Sequence, residues 1–481
     1  MNPFLQSEII DNKKKLIILG AGPAGLALAM KLTERPSLNF DVLVLEKSAR
    51  LGGLAASFNE QGLFLDLGSH RLHPATSPQI LADLHRLLAG DLLDRPRYGR
   101  IRLMGRFVQF PLKPFELLRK LPLSFVSGFL FDSLAQPFVQ IHEPKSFSDV
   151  LKNGLGKTIC DSFYFPYARK LWGLAPDQIA AIQAQRRVAA NSFGKMAAKV
   201  LHKVPGFKKP GSGRFFYPAQ GFGQISYVLA EEVQRLGGKI RTEVHIDRIE
   251  QRPDKRFAVF FNENESVIAD FIFSTIPITV LTKLLQPSAS PELLAAAEQL
   301  RFRGMVLHYL ILDTPQFTPY DAHYFPEKEL IFSRLSEPKN YSTALEPQDK
   351  TGLCFEIPCE VDDVLWQLSD AEMTERVLAD LRKADLAINC QVLKGFSVRV
   401  PYIYPIYDLS FSQNLQLLQN HLSRFSGLVS LGRQGLFVHD NTHHTIDMAY
   451  KAAECLSDDG YWQAKKWQSH LAAFAENVVE D

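Results

Sequence analysis

The chain has little cysteine. Five of its 481 residues are cysteine, at 160, 354, 359, 390 and 455, an odd count without a Cys-x-x-Cys pair. Neither a secreted disulfide framework nor a cysteine-ligated zinc site is expected. A dominant sign of charge is also lacking: 54 Lys+Arg against 52 Asp+Glu leave a formal net charge of +2. This argues against whole-chain nucleic-acid binding and leaves any electrostatic partner to a local patch. Long hydrophobic runs are missing too. Leu16 to Met30 is mostly apolar and follows Lys13, Lys14 and Lys15, which superficially copies a signal peptide. It is too short to span a bilayer comfortably and holds Gly20, Gly22 and Gly25. Leu121 to Phe131 is shorter and contains Pro122 and Gly128. The expectation is a cytoplasmic protein with no transmembrane helix. What remains, 46% hydrophobic and 22% charged residues, is the composition of a soluble globular chain of two or three domains.

The clearest local pattern opens the chain. Leu16 to Leu19 is a β-branched-rich run ending in glycines, Ala24 to Leu32 is an alanine- and leucine-rich helical stretch, and Asp41 to Glu46 is a second buried strand. Together they read as βαβ. Similar strand character returns at Lys239 to Glu250, Phe257 to Phe261, Asp270 to Ser274 and Gly427 to Gly432, the last followed by a helical pattern from about Thr445 to Leu456. The expected fold class is α/β, a Rossmann-like domain in discontinuous segments (12–75, 215–280 and 421–470). An α+β substrate domain is inserted at 76–214, read as its helical part, and at 281–420.

At the first strand-to-helix junction stands Gly20-Ala21-Gly22-Pro23-Ala24-Gly25, a G-x-G-x-x-G pattern. The first glycine makes the tight turn, the second admits a pyrophosphate, and the third lets helix pack on strand. The helix N-terminus then faces the phosphates. Glu46 ends the next strand, where a carboxylate can accept ribose hydroxyls. The simpler alternative is a glycine-rich turn without a ligand.

The following run, Glu46-Lys47-Ser-Ala-Arg50-Leu-Gly52-Gly53, resembles the extended FAD fingerprint of the flavin amine oxidase, phytoene desaturase and protoporphyrinogen oxidase superfamily. The resemblance extends over most of the chain. Arg214 to Gly223 looks like that superfamily's return to the FAD domain, with Val244 at its adenine-side strand, and Gly432-Arg433-Gln434-Gly435 is similar to its last flavin-contacting turn. Within the superfamily, Asp66-Leu67-Gly68-Ser69-His70, Phe332 to Lys339, and Tyr404-Pro405 most resemble UDP-galactopyranose mutase-like proteins. The resemblance implies FAD as cofactor, held by Gly20, Gly22, Pro23, Ala24, Gly25, Glu46, Lys47, Arg50, Gly52, Gly53, Leu67, Gly68, Ser69, His70, Val244, Gly432, Arg433 and His443.

It also implies a reacting face. His70 would lie beside the isoalloxazine, donating a hydrogen bond and exchanging protons near neutral pH. Arg334 and Arg433 would clamp a substrate anion through planar, bidentate guanidinium groups, although Arg334 could instead pair with Glu337 on its own segment. Where the mutases carry tyrosines after the final Gly-Arg, this chain has Val438-His439-Asp440-Asn441-Thr442-His443-His444. No metal is expected, since adjacent histidines point in different directions and no third ligand is spaced for one.

From Gln185 to Arg214 there are eight Lys/Arg and no acidic residue, interleaved with apolar positions. Such a segment lies on anionic membrane surfaces, fronts a phosphate-bearing substrate, or is simply a solvated face. The expected partner is a small molecule, a nucleotide sugar or another phosphate-bearing compound, with no nucleic acid; peripheral membrane contact would run through 185–214. The resemblance leaves three functions open. One is an FAD-dependent oxidoreductase taking hydride from substrate to flavin N5. Another is a non-redox UDP-sugar mutase working through an N5 sugar adduct. The last is a non-catalytic flavoprotein.

Overall fold

The structure, a computed structural model, describes residues 13–110, 116, 119–135, 143–188, 213–343 and 346–479. Its organising element is a five-stranded parallel sheet. The strands lie in the order Leu428–Ser430, Phe271–Ser274, Lys14–Leu19, Phe40–Leu45 and Lys239–Arg241. Ile17 sits between Leu43 and Ile272, so the centre of the sheet is apolar on both faces. Parallel strands need such burial, because their crossover connections cover both sides. The glycine-rich turn feeds the helix Pro23–Thr33, whose residues from Ala24 to Met30 are all buried, and the helix Thr442–Cys455 packs beside it. The mixed α/β class expected from the sequence is the observed one.

A four-stranded sheet (Glu265–Ala269, Phe257–Phe261, Ile246–Gln251, Leu285–Gln286) packs on this layer. A seven-stranded sheet forms the other half of the molecule, in the order Val392–Pro405, Phe302–Leu312, Thr351–Cys359, Arg334–Ser336, Ala322–Tyr324, Gly99–Leu103 and Arg106–Phe110.

Its last two strands correct the reading of 76–214 as helical. Leu92–Pro96, Gly99–Leu103 and Arg106–Phe110 are strands, and the latter two form a hairpin on the large sheet. The cause is visible in Gly99-Arg-Ile-Arg-Leu103, where arginines alternate with buried Ile101 and Leu103 at the period of two that a half-buried strand requires. Helices do follow, at Leu123–Ala135, Phe147–Leu155, Phe165–Trp172 and Ala181–Arg187. Most of the basic stretch, 189–212, lies outside the described residues.

Candidate functional site

A cavity of about 1540 Å³ opens at the carboxyl edge of the parallel sheet. Gly20, Glu46 and Thr275 directly follow three of its strands, Gly432 lies two residues beyond a fourth, and all four line the cavity. That edge is where open α/β sheets bind ligands, because strand ends and helix N-termini converge there.

The dinucleotide end is made of backbone and small residues. Gly20 has φ +98°, and a Cβ on Gly25 would stand 2.0 Å from the Gly20 carbonyl oxygen, so the helix reaches the strand only without a side chain. Gly22 differs: a Cβ there meets no protein atom nearer than the Gly52 oxygen at 3.9 Å. Its side chain is missing in favour of cavity space rather than of packing. The helix behind it begins with no side-chain cap, leaving first-turn N–H groups for an anion. The two Glu46 carboxylate oxygens accept from the backbone N–H of Ala21 and of Ser48, each at 2.8 Å. This fixes the carboxylate at the cavity wall with lone pairs still open to ribose hydroxyls. Gly52, at φ +106°, donates its N–H to the Ala21 carbonyl, bringing the Gly52-Gly53 pair against the phosphate turn. Arg50 lines the cavity with its guanidinium over Phe58.

At the opposite end the loop Leu67–Arg71 is pinned by side chains from distant strands. The Ser69 N–H donates to Glu356 Oε1 at 2.8 Å, Ser69 Oγ meets the Tyr341 hydroxyl at 2.6 Å, and Arg71 pairs with Asp321 at 3.1 Å. His70 lines the cavity and stacks on Phe222. Its Nε2 donates to the Leu67 carbonyl at 2.9 Å, because a carbonyl can only accept. Burial lowers the His70 pKa, an effect that Asp66 and Glu356 partly oppose. With Nε2 committed as donor, a neutral ring carries its lone pair on Nδ1, where it can accept a hydrogen bond.

Arg334 lines the cavity, and its partner is Glu356, not Glu337: Nε and Nη2 donate to the two Glu356 oxygens, both at 2.8 Å, across paired strands. Glu337 instead receives the N–H groups of Phe317 and Thr318 and the Thr351 hydroxyl. Arg433, also in the lining, donates to the carbonyls of His439, Asp440 and Ile403. Burial holds its guanidinium below the usual arginine range. Arg433 and Arg187 both lie over the Tyr404 ring, at 5.5 and 5.6 Å. His443, at the start of the helix Thr442–Cys455, stacks with His73 and lies tilted against His444, and burial pulls it down to about 3.

The cavity thus brings together Gly20, Gly22, Pro23, Ala24, Glu46, Arg50, Gly53, Leu67, Gly68, Ser69, His70, Arg334, Gly432, Arg433 and His443. Gly25 and Gly52 shape its wall from behind, as the close contacts above require. Lys47 is exposed, and Val244 is buried, its N–H donating to the Glu46 carbonyl; neither lines the cavity. Sequence reasoning missed Glu356. Its signal was a lone acid in the apolar strand Thr351–Cys359, which calls for a buried cation. Among the described residues no cluster of three or more His, Cys, Asp or Glu is arranged to hold a metal ion.

A fold with a nucleotide sheet and a large inserted sheet, sharing one cavity at the strand ends, defines a dinucleotide-dependent class of protein. The flavin-containing amine oxidoreductase family matches residues 23–453, and the chain belongs to that family. FAD is its cofactor, and the open space at Gly22, the uncapped helix and the fixed Glu46 carboxylate fit it. No curated protein matches by sequence. Among solved structures, reduced UDP-galactopyranose mutase is 20% identical, with 97% of this chain and 100% of that chain covered at a TM-score of 0.80. A provisionally named protoporphyrinogen oxidase from Exiguobacterium is 19% identical, with 92% and 98% covered at 0.70. Putrescine oxidase bound to putrescine is 15% identical, with 92% and 98% covered at 0.63. These likenesses are of fold.

Proposed function

We propose that this chain is an FAD-dependent oxidoreductase acting on an anionic, phosphate-bearing substrate. One observation carries the reading: eight arginines but only three carboxylates line the cavity among the described residues. Of those carboxylates, Glu46 stands at the dinucleotide end and Glu356 is taken by Arg334. A simple amine is cationic at neutral pH and would be repelled, whereas a phosphate gains charge-assisted hydrogen bonds. Arg433 offers the clearest free charge, since its hydrogens go to neutral carbonyls. Tyr404 and the Phe163, Tyr164 and Tyr167 side chains add aromatic surface against which an organic moiety can pack. Bound FAD would supply a two-electron acceptor. His70, which lines the cavity with Nε2 committed to the Leu67 carbonyl, would accept a proton released from substrate at Nδ1.

A second reading is a non-redox nucleotide-sugar mutase. Its support is the end-to-end likeness to reduced UDP-galactopyranose mutase, together with the same arginines, which suit a diphosphate equally well. The deciding experiment holds the purified flavoprotein anaerobically, oxidised or dithionite-reduced, with a panel of UDP-sugars. Flavin absorbance and sugar ring form are followed together. Bleaching of oxidised enzyme by substrate supports the oxidoreductase; turnover confined to reduced enzyme supports the mutase. Tight binding of simple amines, with none of phosphorylated compounds, would overturn the substrate class.

A further inference from the structure

The helix Leu123–Ala135 has two unlike faces. Leu123, Leu130, Phe131 and Leu134 are 85%, 53%, 71% and 77% exposed. With Ser127 they fall on one stripe at helical spacing. Large apolar side chains so open to water are common singly, but a contiguous helical stripe of them marks a contact surface. Opposite, Phe125 and Phe129 stack and pack against Phe163, Tyr164 and Tyr167. These three aromatics line the cavity, so the helix's inner aromatic face packs on the cavity wall itself.

The flank of the stripe is cationic. Arg106 on the hairpin and Arg119 and Lys120 just before the helix are exposed, and hydrogen bonds from Arg106 to the Lys120 carbonyl and from Lys120 to the Phe107 carbonyl tie hairpin and helix start together. Exposed Met104 sits at the hairpin tip, two residues from Arg106. Nearby acids are already engaged: Glu116 accepts from Gln109 N–H and pairs with Lys120, Asp132 accepts the Thr158 N–H, and Asp161 pairs with Lys157. Gly128 lets the helix lie close to Thr158, where a Cβ would stand 2.7 Å from Oγ1, so the helix is seated firmly with its stripe outward.

We infer that this face docks on an anionic lipid surface, the helix lying in the plane of the interface with Leu123, Leu130, Phe131 and Leu134 inserted and Arg106, Arg119 and Lys120 at headgroup level. The helix has 13 residues, and no described helix is long and apolar enough to cross a membrane, so the geometry is interfacial. A second copy is the poorer occupant. A two-fold interface would set the cationic flank against itself, which anionic headgroups neutralise instead. The surface differs from the basic stretch at 185–214, and the inference stands whether or not the proposed reaction does.

The test uses the full flavoprotein with sucrose-loaded vesicles of phosphatidylcholine alone or with phosphatidylglycerol added. Sedimentation is expected with the anionic vesicles and should weaken as salt rises. Leu130→Ser/Phe131→Ser/Leu134→Ser should weaken partitioning by about tenfold or more, with bound flavin and thermal midpoint retained. Arg119→Glu should weaken it by about fivefold and flatten the salt dependence. Absence of vesicle binding by the wild type, or equal binding by the triple variant, overturns the proposal. So does a wild-type dimer that ignores vesicles and becomes monomeric in the triple variant.

Discussion

The two ends of the cavity are built on opposite principles. The dinucleotide end uses residues within one short span, Gly20 to Gly53, and works through backbone N–H groups, left-handed glycines and space kept clear of side chains. The opposite end uses groups from segments far apart in sequence, Ser69, Arg334, Glu356 and Arg433, already bonded to one another or to carbonyls. The first reserves a place for a ligand by leaving things out. The second holds charged groups ready by pairing them, which preorganises them against the cost of ordering long side chains. One end should therefore fail by steric intrusion and the other by loss of a partner.

The largest effect should come from intrusion. Gly25→Ala puts a methyl group against the Gly20 carbonyl, and the purified variant should carry essentially no flavin absorbance; normal flavin content would break the contrast. Next is Glu356→Ala, which leaves Arg334 buried without its partner and the Ser69 N–H without an acceptor. Unfolding free energy should fall by about 3–5 kcal/mol in denaturant titration. Glu356→Gln should restore part of this by keeping a hydrogen-bond acceptor.

Acid should then act on two buried histidines, one in the cavity wall and one inside the large sheet. Burial pulls His443, in the cavity wall, to about 3 and His308, in the large sheet, to about 4. Their folded values lie below the unfolded value near 6.5, so below that pH the unfolded chain binds protons that the folded one does not. Stability should be full above about pH 6.5 and fall as pH drops toward the folded values, by about 2 kcal/mol between pH 6.5 and 5.5 for the pair. His443→Gln and His308→Gln, each compared by thermal unfolding at both pH values, should shrink that drop separately. The smallest change is Glu46→Gln, which keeps an acceptor oxygen but loses the charge. FAD affinity, read by flavin fluorescence, should weaken by about tenfold with the fold unchanged; no change would mean that the carboxylate serves only the turn.

The same contrast explains what could be read in advance. The strand, turn and helix at Leu16 to Leu32 and the acid at the end of the next strand are local patterns with fixed spacing, so the α/β class and the FAD fingerprint were legible. The hairpin at Gly99 to Phe110 was not, because short alternating strands among helices carry a weak signal. The partner of Arg334 was not either: Glu337 is three residues away and Glu356 is 22, but the latter faces Arg334 across a strand pair. His70 lines the cavity as its motif led one to expect, but the bond that commits its Nε2 to the Leu67 carbonyl depends on how the loop folds back and carries no sequence signal.

By itself the sequence determined the cofactor end, since glycine spacing, an uncapped helix and one carboxylate act through the local backbone. Tertiary structure alone decided the opposite end. Whether an arginine is paired, which nitrogen of a histidine is open and whether an apolar helix face is covered all depend on contacts between distant segments. Those contacts also bury the groups, and burial in turn sets their charge.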